Sequence, residues 1–177
     1  MYKGPARKFK KRGKFAKRLT QYGQQLVEKQ KLRMLYGVRE QTMKNYYLKA
    51  QKQPTNNDLA LLQFLEQRLD NIVYRAGFAT TRSQARQIVN HGHILLNEKR
   101  VNIPSCHIKK GDVVGIRPLS RPRGMFKDLS ITLTKHAAPV WLKMDLAKTT
   151  AQMVDLPGRE SIQEPVDASL VVEFYSR

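Results

Sequence analysis

The sequence predicts an α+β protein. A helical amino-terminal domain is followed by a small domain of helices packed on a short antiparallel sheet, and a basic disordered tail precedes both. Three observations predict this. Apolar residues recur at helical spacing between Met43 and Val89. After Gly92 the period changes to short strand-like runs. Of 33 Lys+Arg in the 177 residues, 16 fall within 1–53, against only two acids there, Glu28 and Glu40.

The tail comes first. Residues 3–18 hold nine Lys/Arg and no acid. With Gly4, Pro5 and Gly13 they offer little that could pack, so 1–19 are expected to stay solvated until they meet an anion. Residues 24–35 have helix-forming composition, with Lys29, Lys31 and Arg33 crowded together and Gly37 as a stop. Met43, Tyr46, Tyr47 and Ala50 stand at i, i+3, i+4 and i+7, one apolar face of a helix. Tyr46 and Tyr47 are therefore expected in the core. Residues 54–57 break that pattern and offer an amino-terminal cap.

Leu62, Leu65, Leu69 and Ile72, widened by Leu61 and Val73, form the strongest stripe. It reads as one long helix or as two that abut near Glu66, closed by Gly77. Thr81-Arg82-Ser83-Gln84 is a capping box; Ala85, Ile88 and Val89 supply the buried side of the helix it starts. Ile94-Leu95-Leu96 and Val101 then flank a tight turn at Asn97-Glu98-Lys99. Lys109-Lys110-Gly111-Asp112 is a second turn, leading into Val113-Val114-Gly115-Ile116. Five prolines punctuate the last sixty residues. There Trp141 is read as an anchor between the small domain and the carboxy-terminal segment, and 170–175 as a strand-like or packed apolar run.

A formal net charge of +19 and a pI near 10.3 say little about fold but argue for a polyanionic partner, with nucleic acid ahead of an anionic membrane surface. One cysteine, Cys106, builds neither an internal disulfide nor a cysteine zinc site. No apolar run approaches the roughly 18 residues of a membrane span. The first residues lack the apolar core of a secretory signal, so the chain is read as mature protein. His91 and His93 need not converge on a metal. Cys106 and His107, adjacent on an extended segment, point to opposite faces. No phosphate loop, nucleophile elbow or carboxylate pair is present. Asp70 is read as a support of the fold. No catalytic residue, cofactor or metal is expected.

The constellation that carries function surrounds the helix beginning at Thr81. Arg82 and Arg86, at i and i+4, share one face. Lys99 and Arg100 sit in the following hairpin, and a helix pair plus hairpin can gather them with Arg75 near one surface. Guanidinium groups bind phosphate oxygens bidentately, and the helix start offers free N–H donors to an anion. Taken as exposed charges, Arg82 and Arg86 could be reversed to Glu at the cost of RNA affinity but not of the fold. Tyr22 and Tyr36, among basic residues, are available to stack on bases.

Arg68-Leu69-Asp70, Gly77, Thr81-Arg82 with Ala85-Arg86, and Gly92-His93-Ile94-Leu95-Leu96-Asn97 resemble the RNA-binding module of the S-four family. The likeness spans roughly 67–127. The same module occurs in pseudouridine synthases and in a heat-shock RNA-binding protein, but here only about fifty residues follow it, without a catalytic pattern. Tyr22-Gly23, Glu28-Lys29-Gln30-Lys31-Leu32-Arg33, Tyr36-Gly37-Val38, Pro139-Val140-Trp141-Leu142 and the ending Val172-Glu173-Phe174-Tyr175-Ser176-Arg177 are similar to the ribosomal members of that family.

The resemblance implies a tail over 1–19, a helical domain over 20–66 completed by about 159–177, the module over 67–127 and its extension over 128–158. It implies a structural constituent of the small ribosomal subunit, not an enzyme, in a bacterial cytoplasm or an organelle matrix. Such a protein binds 16S-type ribosomal RNA directly at a five-helix junction of the 5′ domain and nucleates assembly. It touches ribosomal protein S-five, through which it influences decoding accuracy, and lies near mRNA at the mouth of its channel. The RNA-binding residues so implied begin with Lys10, Lys11, Arg12, Lys14 and Arg18 of the tail, Arg18 matching a basic position at the mRNA channel. The helical domain adds Tyr22, Lys29, Lys31, Arg33, Arg39 and Lys44. The module adds Arg68, Arg75, Thr81, Arg82, Ser83, Arg86, His91, Lys99 and Arg100. Two departures stand out. The amino-terminal region lacks the zinc-binding cysteines of many relatives, and Glu98 stands where the hairpin commonly has glycine.

Overall fold

Caps set the first helix. Helix α1 (Gln21–Tyr36) begins where the Thr20 hydroxyl accepts from the Gly23 amide, 3.2 Å, and ends where Gly37 adopts a left-handed φ of 59°. The structure is a computed structural model that describes residues 20–122, 124–126 and 129–177. The tail, with Lys10, Lys11, Arg12, Lys14 and Arg18, lies outside the described residues.

Helices α2 (Glu40–Ala50) and α3 (Asn57–Glu66) bury the stripe read from the sequence, with Met43, Tyr46, Tyr47, Ala50, Leu61 and Leu65 meeting Leu32 and Tyr36 of α1. The apolar stripe beyond Leu61 is not one helix. α4 (Leu69–Arg75) is a separate element. The break at Gln67 and Arg68 has a tertiary cause: the Leu69 amide donates to the Cys106 carbonyl and the Ile108 amide to the Gln67 carbonyl, both at 2.9 Å, so this stretch pairs with 104–108 instead of closing a helical turn.

Helix α5 (Arg82–Asn90) follows. The Thr81 hydroxyl accepts from the Gln84 amide at 3.1 Å. The Gln84 side chain reaches back to the Thr80 amide, 2.8 Å, one residue earlier than a reciprocal capping box would have it. Strands β1 (Ile94–Leu96), β2 (Lys99–Val101) and β3 (Val113–Ile116) come next, then helix α6 (Leu129–Lys135), then β4 (Leu142–Asp145) and β5 (Thr150–Met153). All five strands form one antiparallel sheet of order β2-β1-β3-β5-β4, so 142–153 extend the hairpin sheet. One core joins α4, α5, α6 and the inner sheet face through Ile72, Val89, Val114 and Met153. Trp141 sits in that core, and its carbonyl accepts from the Val154 amide at 2.9 Å, where the chain leaves β5.

The chain ends in helix α7 (Ala168–Tyr175), capped by the Asp167 carboxylate, which accepts from the Ser169 amide at 3.0 Å. This corrects the strand-like reading of 170–175. A short, mostly apolar run interrupted only by Glu173 does not fix its period, and packing chose the helical one. Ala168 and Val171 enter the core of α1–α3, while Tyr175 stacks on Tyr47 with ring centroids 5.2 Å apart. The Tyr175 hydroxyl donates to Glu40, 2.7 Å, and Lys29 binds the same carboxylate oxygen at 2.7 Å. Burial pushes the Glu40 carboxyl up, but these two donors outweigh it and hold it below its usual range.

Two local features carry predictions. Asn97 and Glu98 both have positive φ, 48° and 67°, forming the two-residue turn of the β1–β2 hairpin. A glutamate is strained there by about 1–2 kcal/mol, part of which glycine would lose to chain entropy. Glu98→Gly is therefore expected to stabilise the protein by about 0.5–1 kcal/mol, read from the urea midpoint.

His107 is half-buried, edge-on to Tyr46 and Phe64, and its Nε2 has no hydrogen-bond partner among the described residues. Burial first, and then the charges of Lys49 and Arg68, pull its pKa below the ordinary 6.5. The unfolded chain then binds the proton better. The stability from neutral His107 is complete above the unfolded value and is lost as pH falls through the lower folded one. His107→Phe should flatten the fall in unfolding free energy between about pH 7 and pH 5. A variant whose pH profile keeps the original slope would speak against this.

Candidate nucleic-acid interface

Arg68, Arg75, Arg82 and Arg86 do come together, but they face inward. Asp70, buried in α4, accepts from Arg68 Nε and Nη2 at 3.1 and 3.0 Å and from Arg86 Nε and Nη2 at 2.9 and 2.6 Å. Arg86 also donates to the carbonyls of Tyr36 and Gly37, 2.9 and 2.6 Å, at the end of α1. A cation there meets the negative end of the helix dipole. Asp70 is thus the fold support read from the sequence.

A second carboxylate, Glu66 at the end of α3, is fully buried. It accepts from the Tyr36 hydroxyl at 2.5 Å, from Asn71 Nδ2 at 2.7 Å and from Arg75 Nε and Nη2 at 2.9 and 2.7 Å. Burial opposes the charge on Arg75, yet the bonds to Glu66 prevail and raise its pKa further. Burial, helped by Glu66, drives the Tyr36 hydroxyl upward too, so it stays a donor. A third carboxylate, Glu164, binds Arg75 Nη2 at 2.7 Å and also Arg82 Nη2. Arg82 Nε donates to Asn71 Oδ1 at 2.9 Å, and its guanidinium lies 4.7 and 4.6 Å from the ring centroids of Tyr36 and Tyr74.

The expectation that Arg82 and Arg86 are exposed charges is therefore corrected. Their side chains are 15% and 31% exposed. Reversing them to Glu would set new carboxylates against Glu164 and Asp70, so it cannot be expected to spare the fold. Arg68 and Arg75 are likewise held by carboxylates. Lys29, in the same short stretch as Lys31 and Arg33, turns inward to Glu40, with Nζ 4.6 Å from the centroid of the Phe174 ring. Tyr36 is buried and not open for stacking.

The other residues of the constellation face solvent. Tyr22, Lys31, Arg39 and Lys44 are exposed on the helical domain, and Arg33 is half-exposed. Thr81 and Ser83 are exposed at the start of α5, His91 at its end, and Lys99 and Arg100 on the hairpin. The hairpin and α5 meet: a Cβ on Gly92 would stand 2.3 Å from Arg100 Nε, so the missing side chain makes room for that arginine beside His91. The His91 ring lies 5.9 Å from that of His93, which is buried with its Nδ1 3.0 Å from Ser120 Oγ. Among the described residues no group of three or more His, Cys, Asp or Glu is placed to hold a metal.

The sequence reading did not count Lys109 and Lys110, of which Lys110 pairs with Asp155 at 3.1 Å, among its candidate residues. Asn97 donates to Asp112 Oδ1 at 2.8 Å and accepts from the Val113 amide at 2.9 Å, tying the two turns into one end of the sheet. Lys109 and Lys110 are exposed there with Lys99. Their signal was present, two lysines opening a Gly-Asp turn, but nothing local showed that the turn abuts the hairpin.

Comparison with known proteins agrees with this geometry. Residues 67–114 match the family described as S4 domain, and residues 2–66 match the one described as Ribosomal protein S4/S9 N-terminal domain. The chain is 48% identical over 163 residues to the small ribosomal subunit protein uS4 of Chloroflexus aurantiacus, covering 91% of this chain and 79% of that protein. It is 47% identical to the uS4 of Roseiflexus castenholzii over the same shares. With the uS4 of Aquifex aeolicus it shares 46% over 166 residues, 91% of this chain and 78% of the other. Likeness of that extent, together with the two matched domains, shows that the chain belongs to the uS4 family of small ribosomal subunit proteins.

Proposed function

We propose that the chain is a structural constituent of the small ribosomal subunit that grips 16S-type ribosomal RNA through the exposed cations of both its domains. The family is structural and not enzymatic. One observation carries the reading: the inward-facing arginines are neutralised while a group of exposed cations is not. The inward arginines are matched by carboxylates, whereas among the described residues no ion pair engages Arg39, Lys44, Lys99 or Arg100. A rigid seam with unmatched positive charge on either side suits a folded polyanion.

The finer reading follows the family resemblance. The RNA site is a five-helix junction in the 5′ domain, bound early so that the body of the subunit assembles around it. Ribosomal protein S-five is a neighbour, and decoding accuracy depends on that contact. The tail cations Lys10, Lys11, Arg12, Lys14 and Arg18 add RNA contacts, Arg18 near mRNA at the mouth of its channel. Thr81, Ser83 and His91 supply hydrogen bonds, and Tyr22 supplies a ring for stacking. The inward arginines Arg68, Arg75, Arg82 and Arg86, and Lys29, hold the shape of this surface. Gradient sedimentation of a lysate containing the tagged chain should place it in small-subunit particles and their precursors. Its recovery with large subunits alone would overturn the assignment.

A further inference from the structure

We infer that Glu164 is a positioning residue that latches the carboxy-terminal segment onto the module and so sets the angle between the two RNA-facing domains; this rests on the RNA-binding reading above. The segment before α7 is fastened to the helical domain at several points. Gln63 donates to the Pro157 carbonyl at 3.0 Å, Arg159 pairs with Asp58, and the Asp167 amide donates to Glu28 at 3.1 Å. Helix α7 itself completes the helical core. Among the described residues, Glu164 is the one carboxylate of 154–177 that reaches an arginine of α4 or α5.

Its geometry suits a latch. The side chain is 10% exposed, and one oxygen, Oε1, accepts from both Arg75 and Arg82. Arg75 is shared with buried Glu66 of α3, and Arg82 is held between Tyr36 of α1 and Tyr74 of α4. A charge-assisted bond at this point closes a ring of contacts from helical domain to module to sheet and back. Glu66 and Asp70 pin the domains where the chain crosses between them. Glu164 joins that seam from the carboxy-terminal segment: its Oε1 accepts from the same Arg75 Nη2 as Glu66 Oε1, each at 2.7 Å, so a third stretch of chain is tied where the domains meet.

Charge alone and position make opposite predictions. Glu164→Gln removes an acid from a chain of net charge +19, so by electrostatics every polyanion should bind more tightly. If Glu164 positions the domains, affinity for the folded 5′-domain ribosomal RNA should fall about threefold to tenfold, while that for poly(U) stays level or tightens. The full-length chain is used throughout, with Glu164→Asp as the conservative variant expected to recover part of the loss.

A measurement without RNA completes the test. Spin labels on Met34→Cys and Leu119→Cys in a Cys106→Ser background report one narrow interdomain distance, and adding Glu164→Gln should broaden it while far-ultraviolet circular dichroism is unchanged. An unbroadened distance overturns the latch, as does tighter binding of both RNAs. Should the parent chain show no preference for folded ribosomal RNA over poly(U), the proposed function fails instead, and the distance distribution still decides the latch.

Discussion

Glu66→Ala is expected to destabilise the folded protein by about 3–5 kcal/mol, a large part of the stability of a domain this size. The side chain is fully buried and serves Tyr36, Asn71 and Arg75 together. Truncation would leave the Tyr36 hydroxyl and Arg75 Nε without this acceptor, Arg75 Nη2 with Glu164 alone, and Asn71 with only the backbone carbonyl of residue 66. The argument concerns loss of one partner, not the net worth of the pair. Buried ion pairs often contribute little against well-packed apolar replacements, whereas a stranded charge is costly. Urea unfolding of the purified variant measures the effect. A loss below about 1 kcal/mol would show that Glu164 and water together satisfy Arg75, and Glu66 would not be the rigid centre of the seam.

The second large effect falls on RNA. Lys99→Glu combined with Arg100→Glu should lower affinity for 5′-domain ribosomal RNA about 10- to 100-fold at low salt and reduce the log–log salt slope by about 2, because each change removes one phosphate contact. Both residues are exposed on β2, so unfolding free energy should move by less than about 1 kcal/mol. That separates them from Arg82 and Arg86, where reversal would disturb stability and binding together. A hairpin variant with unchanged affinity and slope would remove this face of the module from the RNA surface.

What the sequence showed and what it hid divide along a physical line. Helix α5 and the hairpin after it were legible because their determinants are local: a Thr cap with Gln three residues on, three apolar residues on one face, then a two-residue turn. The Met43–Ala50 face was legible for the same reason. The split between α3 and α4 near Glu66 stood as one of two alternatives, and the stripe alone could not choose, because the choice depends on hydrogen bonds to Pro104, Cys106 and Ile108, more than thirty residues away. For 170–175 the packed apolar alternative held and the strand-like one did not, because a short run with a single acid, Glu173, does not reveal its period. The joining of β4 and β5 to the hairpin sheet likewise came from long-range pairing.

The site shows the same division. Spacing by four placed Arg82 and Arg86 on one face, and they do share it. It could not say that the face looks inward, because Asp70 lies twelve residues before Arg82 and Glu164 more than eighty after. Glu98, flagged as a departure, has a left-handed φ, so the local expectation of glycine there was sound.

The central claim is that a rigid seam presents unmatched cations on both domains to the backbone of folded ribosomal RNA. The most direct measurement is the salt dependence of binding between the full chain and folded 5′-domain RNA of the small subunit. With about 6–10 phosphates neutralised, affinity should fall on the order of a thousandfold or more between about 50 and 200 mM salt, along a straight log–log line. A shallow slope worth about one or two phosphates, with affinity no greater than for an unstructured RNA of equal length, would contradict it.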